Sequence, residues 1–167
     1  LSAAGQNYQI ENPLPQDKLD VVLVLDVSGS MGNNGKLVSM KNAASSAVNT
    51  LLEAGNNRVA LVTYSGMAEL VRFGTGYSRY TFATTASTIL GKINGLGFGG
   101  GTNIQNAFFV AQKAITARND KSRKPVIILI SDGEPTYYHT SLDSHSIGLG
   151  DNRRGDGAHS GSNYVWN

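Results

Sequence analysis

Residues 19–30 read LDVVLVLDVSGS. Residues 19–25 are a nearly unbroken apolar, β-branched run, the pattern of a strand buried on both faces of a parallel sheet. The run stops at Asp26 and passes into a turn of Ser and Gly. Beyond it Leu37, Met40, Ala44, Ala47, Val48 and Leu51 recur at helical spacing until Gly55, which predicts an amphipathic helix of about four turns with a glycine stop. Strand, loop and helix make the first half of a βαβ unit, and the rest of the chain extends that pattern.

Residues 58–64 (RVALVTY) form a second strand. Residues 65–67 lead from it into 68–73 (AELVRF), whose alternation suits an antiparallel partner at the sheet edge. Ala86, Ile89, Leu90 and Ile93 mark a short helix over 84–94, and Ile104, Ala107, Phe108, Ala111 and Ile115 mark a third helix. Residues 125–131 (PVIILIS) read as another buried parallel strand. The implied fold class is α/β: an open, doubly wound, mainly parallel sheet with helices on both faces and one antiparallel edge strand.

This divides the chain into an extended segment 1–18, a core 19–133, and a polar loop or insertion 134–167 that begins a truncated C-terminal part. The last segment is rich in Gly, Ser, Asp, Asn, His and Tyr without periodicity. It offers few apolar groups to bury and is expected to extend over the surface. A sheet ending at the 126–130 strand carries an unpaired edge, which the rest of a longer parent or another copy is expected to cover.

Composition narrows the function classes. With 167 residues, 40% hydrophobic and 16% charged, the chain has the size and balance of one globular domain. A net charge of +2 does not indicate nucleic acid. The local basic group Arg118, Lys121, Arg123 and Lys124 reads as a solvated helix-to-strand turn. There is no cysteine, hence no disulfide framework and no thiolate metal site. No apolar run approaches the roughly 20 residues that span a bilayer, so membrane insertion is not expected. The first residues lack the layout of a signal peptide, and the chain reads as a mature segment of something longer.

A glycine-rich run, GLGFGGGTN at 95–103, satisfies G-x-G-x-x-G from Gly95. A dinucleotide fingerprint follows a strand, whereas this run follows a predicted helix. It also half-matches a phosphate-binding P-loop, but Gly101 stands where the lysine is required. Nucleotide binding is therefore not expected.

Three loops stand out instead: Asp26-Val27-Ser28-Gly29-Ser30, Gly99-Gly100-Gly101-Thr102 and Ser131-Asp132-Gly133. Two of them follow parallel strands, where open α/β sheets place ligands, and a strand added beside the first would bring Asp26 and Asp132 together at the switch point. Taken singly, each loop also suits helix capping or turn chemistry. Together they offer two carboxylates and the hydroxyls of Ser28, Ser30 and Thr102. That is a hard, oxygen-only set suited to Mg²⁺ or Mn²⁺, with Ca²⁺ also compatible, and it offers nothing soft for zinc or copper.

These residues resemble the von Willebrand factor A domain family over 20–133. The D-x-S-x-S signature stands as Asp26, Ser28 and Ser30, the distant Thr as Thr102 in GGGTN, and the last Asp as Asp132 in ILISDG. The resemblance implies a metal-ion-dependent adhesion site in which Ser28, Ser30 and Thr102 coordinate the ion, Asp26 and Asp132 act directly or through water, and a partner's acidic side chain completes the shell. The family continues past this strand with further helices and strands for which 134–167 shows no pattern. An insertion after S-D-G and the lack of cysteine are similar to the tip adhesins of Gram-positive pili.

The function expected on this basis is non-enzymatic, divalent-metal-dependent adhesion to a protein bearing an exposed Asp or Glu, such as collagen, fibronectin or another matrix protein. The setting is an extracellular cell-wall or pilus surface adhesin that also contacts other pilus or surface subunits and serves virulence. The alternative is a subunit of an intracellular Mg²⁺-dependent machine, a chelatase or ATPase partner. Against catalysis stand the lack of an activating Lys and of an H-E-x-x-H helix. His139, His145 and His159 read as solvated loop residues, Arg154-Gly155-Asp156 as a chance tripeptide, and Tyr137, Tyr138, Tyr164 and Trp166 as loop anchors or a contact surface.

Overall fold

The computed structural model describes residues 17–133, 135–139 and 152–154. Its main sheet has four strands: β1 (Leu19–Asp26), β2 (Arg58–Tyr64), β3 (Ala68–Leu70) and β4 (Lys124–Ile130). Their order is β3-β2-β1-β4, with β1 parallel to both neighbours and β3 antiparallel at one edge. The apolar run at 19–25 is thus the central strand. Its residues from Asp20 to Asp26 are all buried.

Alternation along β1 divides the core in two. Val21, Leu23 and Leu25 pack with Met40, Ala44 and Val48 of α1 (Lys36–Glu53) and with Ile89 and Ile93 of α2 (Ala86–Asn94). Val22 and Val24 pack on the other face with Ala107 and Ala111 of α3 (Ile104–Thr116). Both faces are covered, as the unalternating sequence of β1 requires. Each fully buried Val or Leu contributes about 1.5–3 kcal/mol relative to exposure.

The structure differs from the sequence expectations at three places. β3 ends at Leu70 rather than at residue 73, because the chain turns back there and Phe73 instead bridges Tyr80. The segment after Glu134 contains a paired element: β5 (Tyr137–His139) runs antiparallel to β6 (Asn152–Arg154). The expectations for Gly155, Asp156, His145, His159, Tyr164 and Trp166 lie outside the described residues, as does most of the expected surface course of 134–167.

The third difference is a correction. Arg118 and Arg123 are not solvated: their side chains are only 10% and 9% exposed, and both pair with the fully buried Asp20. Arg58 joins them with a two-pronged contact to Asp20 at 2.8 and 2.7 Å. Lys121 and Lys124 remain exposed. A single Asp inside an apolar strand could be retained only with such partners, since an unpaired buried charge is costly. Among the described residues β4 is the other edge of the sheet.

Candidate metal centre

β1 ends at Asp26 and β4 at Ile130, and Leu25 lies opposite Ile130 in the register. The turns that follow therefore lie side by side at the carboxyl end of the sheet. Asp26 is fully buried. Its Oδ1 accepts the Ser28 N–H at 2.8 Å, which bends the loop back over the strand end. Its Oδ2 accepts the hydroxyls of Tyr64 at 3.0 Å and Ser131 at 2.7 Å. The Ser28 and Ser30 hydroxyls are 3.1 Å apart, and Ser30 donates to Asp132 Oδ1 at 2.9 Å. Asp26, Ser28, Ser30 and Asp132 thus belong to one connected hydrogen-bonded set.

Thr102 is brought in through the backbone. The Gly29 N–H donates to the Gly100 carbonyl at 2.9 Å and the Gly99 N–H to the Val27 carbonyl at 2.8 Å, lacing its loop to that of Asp26. Asn103 caps α3 by accepting the Asn106 N–H at 3.0 Å, which fixes where the helix starts. Thr102 is 5% exposed. Its N–H donates to Thr136 Oγ1 at 2.9 Å, and its carbonyl accepts the N–H groups of Thr136 and Tyr137 at 2.9 and 3.1 Å. The chain beyond Asp132 therefore straps the Thr102 loop.

Sequence reasoning missed several residues here. Tyr64 ends β2 directly opposite Asp26 in the register, so aligning the two parallel strands end to end would have found it. Lys36 donates to Asp132 Oδ2 at 2.7 Å. Burial works to raise the Asp132 carboxyl, but the hydrogen bonds from Lys36 and Ser30 and the Lys36 charge outweigh it and hold the group below its ordinary value. Burial pushes the Tyr64 phenol well above its usual range against the Ser131 hydrogen bond, and the Asp26 charge adds to the rise. Tyr64 is thus a proton donor to Asp26 at neutral pH.

Among the described residues no three His, Cys, Asp or Glu cluster. The centre offers two carboxylates and neutral hydroxyls, with one ammonium beside them. Such a set fits a hard divalent cation better than a soft one.

Within the glycine run, close packing demands glycine most strongly at Gly101, whereas a Cβ at Gly97 or Gly99 would meet nothing within 4 Å. Gly95 follows α2 directly as its C-cap. A Cβ added at Gly101 would lie 1.7 and 1.9 Å from atoms of the Tyr137 ring. Gly101→Ala should therefore displace Tyr137 and lower stability by about 1–3 kcal/mol, the usual range for overpacking. Urea denaturation of Gly101→Ala with and without Tyr137→Ala checks the cause. The second change should relieve most of the loss, and simple additivity would count against the contact.

Residues 21–134 match the von Willebrand factor type A domain model. Calcium-activated chloride channel regulator 3A-1 of Mus musculus is 28% identical over 141 residues, covering 78% of this chain and 15% of that protein. The vWF domain of the type V pili tip protein Mfa5 from Porphyromonas gingivalis superposes with a TM-score of 0.63 at 26% identity, over 78% of this chain and 43% of the solved one. The D319A mutant of the PilB minor pilin from Streptococcus sanguinis gives a TM-score of 0.66 at 21% identity, over 84% of this chain and 36% of that one, a likeness of fold. The chain thus spans a small part of the curated relatives' length. With its central β1, flanking parallel strands, two-faced helical cover and a match across most of its length, this chain belongs to the von Willebrand factor type A domain family.

Proposed function

We propose that this domain is a divalent-metal-dependent adhesion module. Ser28, Ser30 and Thr102, with Asp26 and Asp132 directly or through water, would hold Mg²⁺ or Mn²⁺, with Ca²⁺ the next candidate. The observation that carries the reading is the connected set of Asp26, Ser28, Ser30 and Asp132 at the ends of two adjacent parallel strands. When bound, the ion would supply an electropositive anchor. Because much of its shell is neutral hydroxyl, it would favour an anionic oxygen from outside, the Asp or Glu of a protein partner.

The likeness to a pilus tip protein supports an extracellular setting on a cell wall or pilus, with other pilus or surface subunits as neighbours. Among the described residues no helix is long and apolar enough to cross a membrane. Collagen, fibronectin or another matrix protein is the proposed class of ligand, and the reading involves no catalytic step.

The test is solid-phase binding to immobilised collagen and fibronectin in Mg²⁺ or in chelator, followed by carboxylate-to-amide changes in whichever protein binds. Adhesion should require the metal and one acidic side chain of the partner. Binding that persists in chelator, with the acidic residues of the contact replaced, would end the metal-bridged reading whatever the fold.

A further inference from the structure

Lys36 is the first residue of α1, where exposed N–H groups and the helix dipole favour an anion and disfavour a cation. The Lys36 N–H itself donates to the Asn33 carbonyl at 3.0 Å, but no charge offsets the dipole locally. The first turn contains no acidic residue, and the N-cap, Gly35, has no side chain to cap the helix and sits at φ 71° in the left-handed region. Lys36 instead reaches a carboxylate 96 residues away, at 2.7 Å from Asp132 Oδ2. Its side chain is 40% exposed while that of Asp132 is 10% exposed, so the ammonium covers the carboxylate from the solvent side. Ser30 holds the other oxygen. Both oxygens of Asp132 are therefore engaged within the chain.

An ammonium on a flexible four-carbon stem is a mobile point charge. A divalent cation approaching Asp132 meets a like charge at that carboxylate. A partner's carboxylate arriving at the same place meets an opposite one. Resting on the metal reading above, we infer that Lys36 is an internal counter-cation that competes with the divalent ion for Asp132. It then pairs with the incoming carboxylate, so that metal and acidic ligand bind cooperatively. A purely structural pair, pinning the start of α1 to the turn after β4, predicts no gain: its removal would leave metal affinity unchanged or lower it.

The experiment is calorimetric titration of the 167-residue chain with Mn²⁺, alone and then in the presence of acetate as the simplest carboxylate probe. Lys36→Met keeps the stem and removes the charge; Lys36→Gln is a second neutral variant, and Lys36→Arg keeps the charge. Thermal melts establish that each is folded. Both neutral variants should bind Mn²⁺ about tenfold more tightly, a value already discounted for the exposure of the ammonium. The strengthening of Mn²⁺ binding by acetate should shrink in both, and Lys36→Arg should stay within about threefold of the parent. Equal or weaker Mn²⁺ binding in folded Lys36→Met and Lys36→Gln overturns the inference and leaves the metal reading standing. Absence of Mn²⁺ binding in every folded form overturns both.

Discussion

Asp26→Asn is expected to weaken divalent-metal binding by about a hundredfold while leaving the fold in place. The side chain is fully buried, and its three contacts suit an amide almost as well as a carboxylate. The Asn oxygen can still accept the Ser28 N–H. The hydroxyls of Tyr64 and Ser131, which donate to Asp26 Oδ2, can turn and accept from the amide N–H₂. What is lost is the negative charge. At the effective dielectric of such sites, unit charges about 4 Å apart interact by about 4 kcal/mol, and a divalent ion doubles that before solvent compensates. A net loss of about 3 kcal/mol, or a hundredfold in affinity, is a conservative reading. Thr102→Val removes one neutral oxygen and keeps the backbone bonds to Thr136 and Tyr137, so about tenfold is expected there. Titration with Mn²⁺ should rank the two in that order. Parental affinity in Asp26→Asn would remove this cluster as the metal centre.

The parts of this molecule that were legible in the sequence are those governed by local pattern. The strand at 19–25, the helix after it and the strands at 58–64 and 125–131 carry unbroken apolar runs or helical spacing, and the structure builds β1, α1, β2 and β4 there. The loops of Asp26, Thr102 and Asp132 were legible because each holds acids or hydroxyls beside glycine at a strand or helix end. The illegible parts depend on distant partners. Lys36 took no part in the reading of its helix, because its partner Asp132 lies 96 residues away and only its place in the first turn, against the helix dipole, marks it locally. Tyr64 stood only as the last residue of the second strand, and it is the register that sets it against Asp26. The polar segment after Glu134 has no periodicity to announce the β5–β6 pairing, and its strap on Thr102 is made largely by the backbone, which composition does not report. Arg118 and Arg123 were read as solvated because arginines in a turn usually are. The signal that contradicted this was Asp20, a lone charge in a strand otherwise buried.

Asp20 is the basis of the largest stability effect expected in this domain. Asp20→Asn should lower the unfolding free energy by about 3–5 kcal/mol, the range for removing one partner of a buried ion pair. The side chain is fully buried and receives Arg58 through two nitrogens at 2.8 and 2.7 Å and Arg123 Nε at 2.7 Å, with Arg118 Nε at 3.5 Å. The hydrogen bond to Asp20 raises the Arg58 guanidinium further above its ordinary value, against the opposing effect of burial. None of the three arginines can shed its proton to escape the loss of the acid. Arg58 is the least buried of them and also sits over the Phe82 ring, 5.5 Å from its centroid, so it can relax toward solvent. Arg123 cannot: it is tied to the Leu19 and Asn56 carbonyls within the fold. The melting temperature should fall by roughly 10 °C for a domain of this size. Asp20 and Asp26 stand on one face of β1, six residues and roughly 20 Å apart, so the two ends of the strand should separate cleanly. Asp20→Asn should keep parental Mn²⁺ affinity below its melting temperature, and Asp26→Asn should lose that affinity with a smaller change in melting. Urea unfolding with an unchanged slope would establish that the folded state is the one affected. A loss under 1 kcal/mol in Asp20→Asn would mean that water reaches the guanidiniums and that the cluster is not a buried one.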